Sequence, residues 1–570
     1  MKDIAKTLSV AVMLMVTTAA QTVATAAQTV TAAALAATTP GVPTQKGEAC
    51  TFQENVRYSE LVINSRINDF KANKKLSGFG IFNDKGEVVQ KPNNTGMVLD
   101  YVPGLVALAI MEAVDYYLDI SEVDVKPWFY AIQNYGCSYD IAEAGKQGMN
   151  FDDLNAVKLY FRIRAMAADN VFDNSPKYTN QQTVKIADER MAAALQGIKK
   201  ANETYVIQES TLAAAAGGWW HKSTYTDQMW CDGQYMGPAL LAQLISSYSA
   251  YQPISDDDWA LLVKQFSIAW SFLWNQDTQL LYHAFTADPG GTAAKDWKGV
   301  SATPGAEVYH SAEYWGRAVG WYFMALVDVL EQLQQANLTE SEHYQTLQKQ
   351  LNLLAAGIAA HQDADTGCWR QLLNHDGDYT AEKYNPNYSY TTKPVKNYLE
   401  SSCSALFIAG YLKGMRLHLF DKDYTTTATK AYQGFINAFM VSDGNGGVHL
   451  VKCCKSAGLG GTNYRDGSAE YYLMGKDTEP TVSDPTSTSF YTEGKVLGAF
   501  ILAAVEYERL QASPTLVAAP HFHSAGHAGP VYNLAGQQVS IATPGIKLTQ
   551  ELATPHSRRE NRPYCALSYK

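Results

Sequence analysis

Trp219, Trp220, His221, Lys222, Tyr225, Trp230, Asp232 and Tyr235 fall within one stretch, Gly217 to Leu244, which reads GGWWHKSTYTDQMWCDGQYMGPALLAQL. A carboxyl group crowded by tryptophans loses hydration, which disfavours its ionised form, and a nearby lysine supplies a countercharge for an acidic ligand. Aromatic faces beside such groups suit sugar rings. The competing reading makes Asp232 a helix cap, with Met236, Leu240, Leu241, Leu244 and Ile245 as the apolar side of that helix and the tryptophans as core.

Three further segments hold side chains able to join such chemistry. In YHSAEYWGRAVGWYFMALVDVLEQL, Trp315, Arg317 and Trp321 stand at the start of a helix. The Arg317 guanidinium could fork onto a carboxylate through two parallel donors; equally, it could stack on Trp315 or Trp321 and pair with Glu313. FDDLNAVKLYFRIRAM places Asp152, Asp153 and Asn155 ahead of a helix face, where aspartate serves as an N-cap or, in the functional alternative, as a second carboxylate. NQDTQLLYHAF supplies His283 among aromatics, either a hydrogen-bonded core histidine or a participant in proton transfer. There is no Gly-x-Ser-x-Gly elbow and no phosphate-cradling glycine loop ahead of a helix. Neither C-x-x-C nor H-E-x-x-H occurs, so no tetrahedral zinc site and no cofactor are expected. This inventory points to carboxylate-driven chemistry on a sugar.

The elements that must position these residues are helical. About a dozen amphipathic segments begin near Tyr58, Asp100, Val125, Asp153, Asn180, Asp232, Asp256, Trp315, Glu340, Glu400, Thr427 and Tyr491. Phe323, Leu326, Val327, Leu330 and Leu333 show the period well, recurring at three- and four-residue spacing along one face. Strand-like alternation is sparse. Twelve helices read as six hairpins, and closing them in a ring buries the inner helices on all sides, so the predicted fold is all-α, an (α/α)6 barrel. The linker Thr286 to Gly305, the aromatic-rich Tyr379 to Tyr398 and the Gly-rich Ser456 to Gly467 are loops suited to lining a cleft.

Composition sets the outer limits. The 570 residues carry a formal net charge of −11, which argues against general nucleic-acid affinity; an acidic ligand would need local cations. Lys2 and Lys6 precede the apolar run Leu8 to Val16 and then small residues, the layout of a secretory signal peptide. That run is too short for a bilayer anchor, and no membrane insertion is expected. The expected divisions are 1–27 signal peptide, 28–50 low-complexity leader, 51–511 catalytic domain and 512–570 irregular tail, in an exported protein that is periplasmic or secreted. The tail's His521, His523 and His527 read as part of a flexible linker. Eight cysteines in so long a chain permit disulfides without the density of a disulfide scaffold.

In order along the chain, WCDGQYMGPALLAQL, EYWGRAVGWYFMALVDVLEQL, NYLESSCSALFIAGYLKGMRL and the closing GTNYRDGSAEYYL resemble glycoside hydrolase family 105, the unsaturated rhamnogalacturonyl hydrolases, from about Asp100 to Gln511. The resemblance implies an (α/α)6 barrel that removes the terminal 4,5-unsaturated uronic acid left when a lyase cuts pectin-type chains. It makes Asp232 the catalytic acid, with Asp153 as the second aspartate, Asp152 being adjacent, and His283 as the active-site histidine. It makes Lys222 a substrate-binding lysine, places Arg317, Trp315, Trp321 and Trp230 around the sugar, and sets Tyr101 at the entrance. Cys231 and Val319 depart from the family's usual residues, and the Thr286 to Gly305 linker and the loop after Trp369 match it less easily. Two alternatives remain: an unsaturated glucuronyl hydrolase acting on glycosaminoglycan or algal fragments, and a non-catalytic carbohydrate-binding relative.

Overall fold

A computed structural model describes residues 39–67, 81–82, 88–90, 99–139, 149–248, 255–292, 294–301, 308–484, 487, 490–512, 531–532 and 538–539. The expected signal peptide, residues 28–38 of the leader and most of the tail, with its three histidines, lie outside the described residues. The chain forms two compact units, residues 1–525 and 526–570. The second is described only as a short antiparallel pairing of Val531–Tyr532 with Gln538–Val539.

The first unit is built of helices that pair as hairpins. They are α1 (Tyr58–Arg66), α2 (Tyr101–Tyr117), α3 (Lys126–Ser138), α4 (Phe151–Asn155), α5 (Lys158–Ala168), α6 (Asn180–Thr204), α7 (Cys231–Met236) and α8 (Pro238–Ser247). They continue as α9 (Asp256–Leu273), α10 (Gly316–Gln335), α11 (Glu342–Ala360), α12 (Ser401–Arg416), α13 (Thr425–Phe439), α14 (Ala469–Met474) and α15 (Gly494–Ala512). Helices α2, α4–α5, α7–α8, α10, α12 and α15 contact one another in that order and α15 returns to α2, closing an inner ring. Helices α3, α6, α9, α11, α13 and α1 pack outside it, one on each inner helix. This is the helical toroid that the periodicity predicts.

Residue types decide which helix goes where. Helix α10 is buried at every position from Gly316 to Val327, and a helix apolar all round is stable only when surrounded. Outer helix α6 buries a single stripe, Thr183, Ala187, Met191, Ala194, Ile198 and Ala201. Close approach closes the ring: a Cβ on Gly498 of α15 would lie 2.6 Å from Leu105 Cγ of α2, so only glycine fits there. Between α7 and α8, Pro238 sits at the first helical position, where its missing N–H is no loss.

The N-terminal ends of the inner helices all open toward one mouth, and short β-bridges stitch their loops together. Asn150 bridges Lys222, Phe285 bridges His310, Trp315 bridges Leu372 and Arg370 bridges Leu399. Among them, β1 (Gln228–Trp230) pairs antiparallel with β2 (Ala284–Thr286), with Trp230 opposite Ala284. Bridges of one to three residues carry no readable alternation, so none was expected from sequence.

At the opposite end, the inner helices enclose a cavity of about 90 Å³ lined by ion pairs. Arg416 donates to both Glu506 oxygens at 2.7 and 2.8 Å, and Arg509 adds a bond at 2.8 Å. Lys413 lies 2.7 Å from both Asp328 and Glu331. Burial lowers the Lys158 ammonium to about 8, and it sits 3.5 Å above the Tyr235 ring. The described cysteines are all buried and free. Among the described residues no helix is long and apolar enough to cross a membrane.

Burial alone would raise the Glu506 carboxyl, but Arg416 and Arg509 outweigh it and hold the group at about 2, below its ordinary 4.5. The stability it contributes is therefore full above pH 4.5 and is lost as pH falls toward about 2. Glu506→Gln should destabilise the protein at pH 7 by roughly 1–3 kcal/mol, because it leaves two partly buried guanidinium groups short of a counterion. In denaturation measured from pH 7 to pH 2, the gap between variant and wild type should close across that acid window.

Candidate active site

Asp232 is the second residue of α7, and its position follows from the strand before it. The Cys231 N–H donates to the His283 carbonyl at 3.0 Å, extending the pairing of β1 and β2 by one step. That bond sets the two side chains face to face, with Asp232 Oδ2 3.3 Å from His283 Nε2. Both atoms are buried, and among the described residues neither has a hydrogen-bond partner of good geometry. The other ring nitrogen, His283 Nδ1, lies 2.7 Å from the Tyr472 hydroxyl. The Trp230 ring meets His283 edge-on at 4.9 Å and Trp315 lies 4.8 Å away. His283 is wholly buried while the Asp232 side chain keeps 16% exposure, so only the carboxyl group of this pair faces an incoming ligand.

A second cluster sits across Trp230. Backbone pairing of residues 149–151 with 221–223 brings Asp152 beside two cations: His221 Nε2 at 3.1 Å and Lys222 Nζ at 2.5 Å. Burial would raise the Asp152 carboxyl, but Lys222 and His221 overcome this and hold it well below the usual carboxylate range. Burial opposes the Lys222 charge in the same way, and Asp152 restores it. His221, Trp230 and Tyr225 form a stack, with Trp230 5.7 Å from His221 and 4.8 Å from Tyr225. Helix α7 enforces this closeness, since a Cβ on Gly233 would come within 2.9 Å of His221 Nδ1.

Of the two adjacent aspartates, Asp152 and not Asp153 contacts these cations. Asp153 accepts from Asn150 Nδ2 at 2.9 Å. Burial first, then Asp152 and Asp100, raise its carboxyl to about 6. The register chosen from sequence is thus one residue late for the group that touches Lys222.

Of its two readings, Arg317 takes the stack and not the fork. It is 2% exposed, and its guanidinium donates to the carbonyls of Cys454 at 2.6 Å and Lys455 at 3.3 Å and to Ser402 Oγ at 3.2 Å. It stacks on Trp315 at 4.5 Å, but Glu313 pairs with His375 at 3.0 Å instead. Buried donors already satisfied by carbonyls do not reach out for a ligand carboxylate. Trp321 is packed against Tyr235 at 4.7 Å and Tyr101 at 6.2 Å. The Tyr101 hydroxyl is pushed up chiefly by burial, then by Asp152, with Arg317 opposing, so groups from three inner helices converge beside it.

Tyr472 and His221 complete the arrangement without having been singled out as site residues. Tyr472 lies in the GTNYRDGSAEYYL motif, and His221 directly precedes Lys222. Nothing local in the sequence shows that α14 folds back onto β2. Among the described residues no group of three or more His, Cys, Asp or Glu side chains is arranged to hold a metal ion.

A family model described as Glycosyl Hydrolase Family 88 matches residues 81–511. Protein Atu3128 of Agrobacterium fabrum is 33% identical over 202 residues, spanning 34% of this chain and 72% of that protein. The 24.9 kDa protein in picA locus of Rhizobium radiobacter matches to the same extent, 33% over 202 residues, 34% of this chain and 72% of its own. Among solved structures, a C. acetobutylicum glycoside hydrolase from family 105 shares 24% identity, with a TM-score of 0.55 over 80% of this chain and 100% of that one; at that identity the likeness is one of fold.

The two aspartates should respond oppositely to neutralisation. Asp152→Asn leaves Lys222 and His221 without their anion and should cost roughly 1–3 kcal/mol at pH 7. The fold disfavours ionised Asp153, so the stability this group contributes falls as pH rises from its ordinary 3.8 through about 6. Asp153→Asn should therefore stabilise the protein above pH 6 and change little below pH 4. Urea denaturation across pH 4–8 checks both, and the reverse order would assign the Lys222 partnership to Asp153.

Proposed function

The chain belongs to glycosyl hydrolase family 88, and from that premise we propose that it removes the terminal 4,5-unsaturated galacturonic acid from lyase-generated rhamnogalacturonan oligosaccharides. The observation that carries this reading is the Asp232–His283 pair, 3.3 Å apart, with the His283 ring against Trp230 and Trp315 and the Lys222 ammonium held nearby on Asp152.

Such a substrate presents a C4=C5 double bond conjugated to the ring oxygen, a vinyl ether. Protonation at C4 by Asp232 generates an oxocarbenium ion at C5, and water then adds at C5 while returning a proton to Asp232. The resulting hemiketal opens and releases the neighbouring sugar. One carboxyl group acts twice, outside the two-carboxylate scheme of ordinary glycoside hydrolysis.

His283 suits an acid that gives a proton and takes one back. When the Tyr472 hydroxyl donates to Nδ1, the Nε2–H faces an ionised Asp232; when Tyr472 accepts from Nδ1–H, the Nε2 lone pair faces a protonated one. Either tautomer fits the 2.7 Å contact between Nδ1 and the hydroxyl. Lys222 spends one donor on Asp152 and keeps two for the uronate carboxylate, which would otherwise be buried unpaired at a cost of several kcal/mol. Arg317 acts at one remove, stacking on Trp315 to support the wall of the sugar site. Trp321 does the same through Tyr101, and Asp152 holds Lys222 in place.

Loss of ultraviolet absorbance from the conjugated double bond tests the reading on unsaturated rhamnogalacturonan, galacturonan and chondroitin disaccharides. The rhamnogalacturonan disaccharide should be consumed fastest, and Asp232→Asn should lose about 100- to 10,000-fold in turnover while keeping its thermal stability. No consumption of any of the three would sink the proposal. Preference for chondroitin would redirect it to unsaturated glucuronides, and near-normal turnover by the variant would remove Asp232 as the acid.

A further inference from the structure

The segments that the family resemblance matches less easily, the linker after Thr286 and the aromatic loop after Trp369, do not stand apart as separate solvated loops. With the turn before α14 they meet in a groove of about 370 Å³ lined by Lys298, Lys383, Tyr384, Asn463, Tyr464 and Glu470, among others. That volume is within the range of small-ligand clefts, roughly 300–1,000 Å³.

The walls are fixed to one another. The Lys298 N–H donates to the Asp466 carbonyl at 2.7 Å, the Tyr384 hydroxyl donates to the Tyr464 carbonyl, and the Tyr388 and Tyr464 rings stack at 4.2 Å and 18°. The groove also adjoins the active site through two covalent steps. Trp297, next to Lys298, packs edge-on against Trp230 with ring centroids 6.2 Å apart. Glu470 is in the first turn of α14, and two residues on, Tyr472 bonds His283.

Its chemistry fits an acidic sugar chain. Lys298 and Lys383 are exposed, and among the described residues neither ammonium has a carboxylate partner. Asn463 offers both donors and an acceptor, Asp466, which also lines the groove, already accepts from the Ser468 N–H at 3.0 Å and hydroxyl at 2.8 Å, and Glu470 accepts from hydroxyls, the mixture that a polyhydroxylated ligand requires. The half-buried rings of Tyr384 and Tyr464 add apolar area at little entropic cost.

We propose that this groove is an extended subsite for the third and later sugars of an acidic oligosaccharide whose terminal residue occupies the Asp232 site. The assignment rests on the function proposed above. Lys298 and Lys383 take carboxylates of the internal uronates, and long substrates are thereby favoured over disaccharides.

A double variant, Lys298→Gln with Lys383→Gln, removes the two exposed cations without touching Asp232, His283 or Lys222. Its kcat/KM on an unsaturated rhamnogalacturonan hexasaccharide should fall roughly 3- to 10-fold, through KM, with the disaccharide unchanged, as expected for two exposed ion pairs. The wild-type preference for the hexasaccharide should also shrink as ionic strength rises. Calorimetric titration with a saturated hexagalacturonide reads the groove without turnover, and the double variant should bind it more weakly by the same factor. Equal affinity and equal KM would overturn the subsite. Weakened binding in a protein that consumes no unsaturated sugar would overturn the catalytic reading alone and leave the subsite standing.

Discussion

Ring closure is the constraint on which everything else depends. Helix α15 must lie against α2, from the other end of the domain, closely enough that Gly498 meets Leu105 with no room for a Cβ. Once that contact forms, six inner helices are committed to run side by side in the same sense, and their N-terminal ends gather at one mouth. Tyr101, Asp152, Asp232, Arg317 and Ser402 are all within the first turns of those helices. No single segment builds the site; five of the six inner helices contribute a first turn. The N–H groups of those turns also point toward the mouth, a setting that favours anionic ligands.

The two ends of the ring use charge in different ways. At the closed end, Glu506, Arg416, Arg509, Lys413, Asp328 and Glu331 neutralise one another, and each has its partner within the ring. Such networks are strained by removal of any member more than they are stabilised by its presence. At the mouth, charges are also matched, but incompletely. Lys222 is shared with Asp152 and still has 24% of its side chain exposed. Asp232 faces a histidine whose far nitrogen is tied to Tyr472. Partial pairing keeps these groups oriented while leaving valence for a ligand, which is how a preorganised site differs from a structural ion pair.

The aromatic residues divide along the same line. Trp315 and Trp321 are nearly inaccessible and serve as the backing of the site, one under Arg317 and His283, the other under Tyr101 and Tyr235. Trp230 stands between the Asp232 pair and the Asp152 cluster and touches rings of both, so it couples the position of the acid to that of the cation. His283 beside Asp232 and His221 beside Asp152 thus both rest on one indole, the first placed by the register of β1 and β2 and the second by the Asn150–Lys222 bridge, rather than by flexible side-chain choice.

Helix periodicity was readable because 3.6-residue amphipathic spacing is a local property. The starts expected near Asn180, Asp256 and Glu400 coincide with helices beginning at Asn180, Asp256 and Ser401, and the count of hairpins follows from them. Asp232 and Lys222 stood out because a polar group among tryptophans is unusual in any segment, and His283 was identified through the family resemblance. Other features were beyond local reading. Whether Asp152 or Asp153 meets Lys222 depends on the bridge from Asn150 to Lys222, since one residue of register turns a helix by about 100°. The burial of Arg317 against the Cys454 and Lys455 carbonyls, and the reach of Tyr472 to His283, are contacts across more than a hundred residues. The chain's local pattern determined which helices form and which residues could do chemistry; ring closure alone decided which of those residues meet, because only packing between distant segments gives a side chain its neighbours.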